Sequence, residues 1–146
     1  MKNTTNEPIS RIEVIRSPGG PFFSLFSRRE AEQEVRRLLD LFDLEGFGLE
    51  LHLTGDREIA ELNRRFLGLT GPTNVLSFPA EEEGFLGSIV LSMQAVNREA
   101  HLYGQSERGH FLRLVAHSVL HLAGYEHGPL MDELTENAVL SLAPQD

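Results

Sequence analysis

Apolar and polar residues alternate along 49–53, where Glu50 and His52 separate Leu49, Leu51 and Leu53. That two-residue period predicts a half-buried strand. The segment 10–16 alternates in the same way, with Ile12 and Val14 against Arg11 and Glu13. Segments 74–78 and 85–92 read as further strands. Pro79 stops the first of these, because it lacks the N–H that a ladder needs. Gly87, inside the second, predicts close approach of another backbone. The apolar stretch 21–26 has no period and fits either a short strand or a hydrophobic flap.

Elsewhere the period lengthens to that of a helix. Ser27, with Glu30 three residues on, predicts a capping box, and Ala31, Val35, Leu38, Leu39 and Phe42 follow at helical spacing. Asp56 is expected to cap a second helix carrying Ile59, Leu62 and Phe66. Further helices are predicted from Met93 to about Tyr103 and from about Glu107 to Ala123, the latter ended by Gly124. Pro129 suits the first turn of a last helix. The order β-α-β-α-β-β-α-α-α, without internal repeats, predicts an α+β fold. We expect one domain over 1–146, a mixed sheet of about four strands with helices packed on it.

Composition narrows the chemistry. The chain of 146 residues has no cysteine, so any metal must be held by His, Asp or Glu. A net charge of -9 argues against broad electrostatic attraction to nucleic acid. The cations are nearly all arginines, however, and a local group of these planar forks suits phosphate. The opening residues lack the apolar core of a secretory signal, and no apolar run is long enough to span a bilayer, so we expect a cytoplasmic protein.

Three of the six histidines fall in HSVLHLAGYEHG, residues 117–128. His117 and His121 are a helical turn apart and share a face. Gly124 lets the chain turn back so that His127 can close a third position. Three imidazoles leave one place open on a tetrahedral ion, the arrangement of a catalytic zinc at the end of a helix. Zinc peptidases share this spacing but place a Glu after the first His. Ser118 stands there and cannot take a proton at neutral pH. Glu126 is the nearest carboxylate in sequence. His110 is expected to be a partly exposed surface residue, and His52 and His101 have weaker claims on a metal.

These residues resemble a known family. HSVLHLAGYEH is similar to the signature H-G-x-L-H-L-x-G-Y-D-H of the YbeY family, single-strand-specific zinc endoribonucleases of ribosomal RNA maturation and quality control. LNRRFLGLTGPTNVLSFP (62–79) resembles its L-N-x-x-Y-R-G-x-x-x-P-T-D/N-V-L-S-F, and LGSIVLS (86–92) its L-G-D-I-V-I-S. The resemblance implies one Zn²⁺ per chain on His117, His121 and His127. It places Thr73, Asn74 and Ser77 in the strand and loop beside the metal cleft, as substrate contacts or as turn and strand caps. The implied partner is single-stranded ribosomal RNA, with ribosomal or assembly proteins as further candidates, and no membrane.

Three departures bear on catalysis. The family's Arg before the loop Gly is Leu67, which cannot stabilise charge on phosphate. Arg64, one turn earlier, is the candidate to replace it as a catalytic group, with Arg65 as a substrate contact. The family's Asp after the Gly is Ser88, which is expected to remove a carboxylate near the site. The Asp before the last His is Glu126, retained as a catalytic candidate. The leading expectation is therefore a zinc-dependent endoribonuclease. The alternatives are a catalytically weak or inactive zinc-binding assembly factor and a metallopeptidase, the latter disfavoured by Ser118.

Overall fold

A computed structural model describes residues 10–17 and 27–143, so the apolar stretch 21–26 lies outside the described residues. The elements are β1 (Ile12–Arg16), α1 (Arg28–Leu41), β2 (Gly48–Thr54), α2 (Asp56–Leu67), β3 (Val75–Pro79), β4 (Phe85–Ser92), α3 (Met93–Leu102), α4 (Glu107–Leu122) and α5 (Pro129–Leu142). The strands form one four-stranded sheet in the order β1-β2-β4-β3. β1, β2 and β4 run parallel, and β3 is an antiparallel edge strand paired to β4. The result is the expected α+β architecture on a mixed sheet.

The pleat sorts the side chains between two faces. Leu49, Leu51 and Leu53 of β2 and Ile89 and Leu91 of β4 point to one face, where they pack with residues of α1, α4 and α5 into the main core. On the other face, Leu76 and Val90 pack with Ile59 of α2, and Leu62 and Phe78 lie against them. α4 and α2 therefore lie on opposite faces of the sheet.

The local signals explain most of the boundaries. Ser27 Oγ accepts from the Glu30 N–H at 3.1 Å, and Glu30 Oε1 accepts from the Ser27 N–H at 2.8 Å, completing the capping box of α1. Asp56 departs from expectation. Gly55 is the N-cap of α2 and gives no side-chain cap, while Asp56 is the first helical residue. Its carboxylate turns instead to the β4–α3 junction, accepting from Ser92 Oγ at 2.8 Å and from Arg98 at 3.0 Å. Its own N–H donates to Gln94 Oε1 at 2.7 Å. A tertiary ion pair thus replaces the local cap, and the Arg98 guanidinium holds the Asp56 carboxyl below its ordinary range.

Gly87 bears out the predicted close approach. Its φ is +141°, and a Cβ there would stand 2.2 Å from the Phe78 carbonyl oxygen. Both the backbone conformation and the space exclude a side chain. Gly87→Ala is expected to loosen β3 from β4 and cost on the order of 2–4 kcal/mol in urea denaturation. A midpoint equal to that of the parent chain would contradict this.

Candidate metal centre

Ser106 is the N-cap of α4, and its Oγ accepts from the Gly109 N–H at 2.9 Å. One side of the helix is buried through Phe111, Leu112, Val115, Ala116 and Val119, and it packs on β3 and β4. The helical phase of those residues leaves His117 half-buried at the margin and His121 exposed. Gly124 then adopts φ +101°, a conformation that costs an L-residue with a side chain. The reversal brings the His127 ring to 4.9 Å from His117 and 5.6 Å from His121, centroid to centroid, at interplanar angles of 38° and 36°.

These separations suit a shared ion. Imidazoles bound through nitrogen to one tetrahedral centre lie with their ring centres about 5 Å apart. Among the described residues no three His, Asp or Glu side chains already form a group able to hold an ion. The rings are gathered, and their ligating nitrogens converge only if the side chains turn. His121 and His127 are exposed, so that rotation displaces little packing. The donor set is chemically apt, because neutral imidazole is the ligating form. Burial pushes His117 below the usual histidine range and the nearby His127 adds to the shift, while the Asp132 carboxylate opposes it.

Asp132 is the residue that sequence reasoning missed. It lies in the first turn of α5, close enough to His117 to act on its charge. An acid in a first turn ordinarily reads as a partner for the helix dipole, so the pattern gave no reason to single it out. Glu126, the carboxylate nearest in sequence, is exposed on the turn between α4 and α5.

The remaining candidates divide by face. Ser77 pairs with Ile89, which puts it on the side of the sheet that carries α4. Thr73 is half-buried in the loop leading into β3. The Asn74 side chain is already engaged, its Nδ2 donating to Glu99 Oε1 at 3.2 Å. Arg64 and Arg65 are exposed on α2, across the sheet from α4. Both turn to Glu61, at 2.6 Å and 3.8 Å. The last turn of α2 does reach the edge strand, where Phe66 meets Phe78 edge-on at 5.5 Å.

Two expectations need correction. Ser88 is not beside the histidines: it pairs with Glu50 and Phe78, on the face away from α4. There its hydroxyl donates to Glu50 Oε1 at 3.0 Å, and His52 lies 3.2 Å from the same oxygen. The change from Asp to Ser therefore falls outside the histidine cluster. His110 is not a surface residue: it is 5% exposed and bonded to Glu99. Two other departures are now placed. Ser118 is 2% exposed, in a space enclosed by the core, and Leu67 is 54% exposed, so packing did not demand a Leu there.

The family model described as Endoribonuclease YbeY matches residues 24–139. A protein of that name from Oleidesulfovibrio alaskensis is 43% identical over 134 residues, covering 75% of this chain and 79% of that protein. Another, from Lawsonia intracellularis, is 39% identical over 115 residues, covering 79% and 85%. A solution structure of a Thermotoga maritima protein superposes with a TM-score of 0.60 at 26% identity, covering 90% of this chain and 87% of that one.

The electrostatics of the cluster can be read directly by NMR titration of the metal-free protein. His117 is expected to titrate below the usual histidine range of about 6.5. Asp132→Asn removes the charge that favours imidazolium and should lower the value further; His127→Ala should raise it. An upward shift in Asp132→Asn would contradict the arrangement.

Proposed function

The chain belongs to the YbeY endoribonuclease family, and on that premise we propose that it is a zinc-dependent, single-strand-specific endoribonuclease that acts on ribosomal RNA in the cytoplasm. The observation that carries the reading is the gathering of His117, His121 and His127 by the Gly124 reversal. Those imidazoles would hold the ion, one per chain. When bound, it supplies Lewis acidity at the reacting phosphate.

The chain's own residues do the rest. Burial disfavours the protonated form of His117, and so favours the form whose lone pair can ligate. Asp132 offers a carboxylate beside that ring for holding or moving a proton, and Glu126 is the second acidic candidate on the adjoining turn. Ser77, on the α4 side of β3, and Thr73, in the loop before it, would contact the RNA strand. Arg64 and Arg65 would reach phosphate from the end of α2, exchanging their pairing with Glu61 for the substrate. Exposed pairs of this kind contribute little, so the exchange costs little. Ser118, in the position of the peptidase base, carries no carboxylate.

Leu67, in the place of the family's Arg, favours a second reading, a zinc-binding ribosome-assembly factor of weak or no nuclease activity. Cleavage of single-stranded ribosomal RNA by the zinc-loaded protein decides between them. The enzyme reading predicts cleavage that falls on the order of 100-fold or more in His117→Ala and stops with a chelator. Arg64→Ala and Arg65→Ala should each lower the salt slope of RNA binding by about one. RNA binding without cleavage would establish the assembly factor. Cleavage indifferent to both controls would refute the metal site, and cleavage of casein would revive the peptidase.

A further inference from the structure

Beyond the histidine cluster, one part-buried polar network joins α3, α4 and the residue before β3. His110 Nε2 of α4 lies 2.8 Å from Glu99 Oε1 of α3. The same oxygen accepts from Asn74 Nδ2, on the residue before β3, at 3.2 Å. A carboxylate only accepts, so the imidazole donates through Nε2. The other ring nitrogen, His110 Nδ1, is buried and has no hydrogen-bond partner among the described residues.

That orphaned atom bears on what the network is for. A buried polar atom without a partner costs free energy, and an apolar side chain of similar size leaves nothing unsatisfied. Stability alone therefore does not account for a histidine at this position. What the bond supplies is direction, because a hydrogen bond fixes angle and distance where an apolar contact does not.

The direction bears on the candidate site. His117 follows His110 by seven residues, which places it on nearly the same helix face, about 10 Å further along the axis. α4 packs on β3, and Ser77 faces it. The Asn74–Glu99–His110 link thus ties α4, two turns before His117, to α3 and to the entry of β3.

We infer that Glu99 and His110 are positioning residues: they pin the start of α4 to α3 and to the entry of β3 and so set the rotation of His117 about the helix axis. Asn74 belongs to the same device and acts through Glu99 rather than on the RNA. The inference deepens the endoribonuclease reading and rests on it for its functional consequence, but the positioning itself exists in the metal-free protein.

The test compares Glu99→Ala, Glu99→Gln and His110→Leu. In metal-free protein, Glu99→Ala and His110→Leu should move the His117 imidazole resonances, two helical turns away, while His110→Leu unfolds at or above the parent temperature. Zinc affinity, read by competition with a chromophoric chelator, should fall roughly tenfold in both, and kcat on single-stranded RNA should fall with KM held. Glu99→Gln keeps an acceptor for His110 and should retain parent behaviour. Unmoved His117 resonances in Glu99→Ala, or a Glu99→Gln protein as impaired as Glu99→Ala, would overturn the inference. If His110→Leu does not fold, the two Glu99 variants decide. A parent protein that neither binds zinc nor cleaves RNA would defeat the functional reading, and the metal-free spectra would still decide the positioning.

Discussion

The candidate site depends on one backbone conformation. Gly124 stands at φ +101° immediately after the last turn of α4. Without that reversal a helix presents only His117 and His121, a pair on one face. With it, the His127 ring is brought to 4.9 Å and 5.6 Å from the other two. The absence of a Cβ is what makes the turn inexpensive. A chain without cysteine thereby obtains a donor set from imidazoles alone, at the end of a helix whose buried side is fixed by the core.

The sheet pleat is the second constraint, and it assigns roles that chain order cannot. Ser77 and Ser88 pair with neighbouring residues of the β3–β4 ladder, at Ile89 and Phe78 respectively, yet they point to opposite faces. Only Ser77 looks toward α4. The same division separates Arg64 and Arg65 on α2 from the histidines on α4, so that any joint action on one RNA strand must pass around edge strand β3. An unpaired edge beside the site suits that route, since no further strand covers it among the described residues.

The order of elements, the mixed sheet and the histidine cluster were legible in the sequence because each rests on short-range rules: two-residue alternation, helical spacing, a capping box and a glycine after a helix. The Asp56 cap, the location of Ser88 and the burial of His110 were not legible, because tertiary partners decide them. Asp56 is drawn to Arg98, 42 residues away, and His110 to Glu99, 11 residues away on another helix. Asp132 was hidden for a related reason, since its meaning comes from the turn that sets α5 beside α4. Residues read from family motifs fell in the right elements. Which sheet face each occupies, and which are already bonded, followed only from the register and the hydrogen bonds.

His117, His121 and His127 are proposed to ligate one metal ion together. X-ray absorption at the zinc edge of the loaded protein tests it most directly. Imidazole scattering from three ligands at about 2.0–2.1 Å is expected, with a further light atom completing the shell, and loss of one imidazole in His127→Ala. A spectrum with fewer than three imidazoles, or one unchanged by His127→Ala, would contradict it.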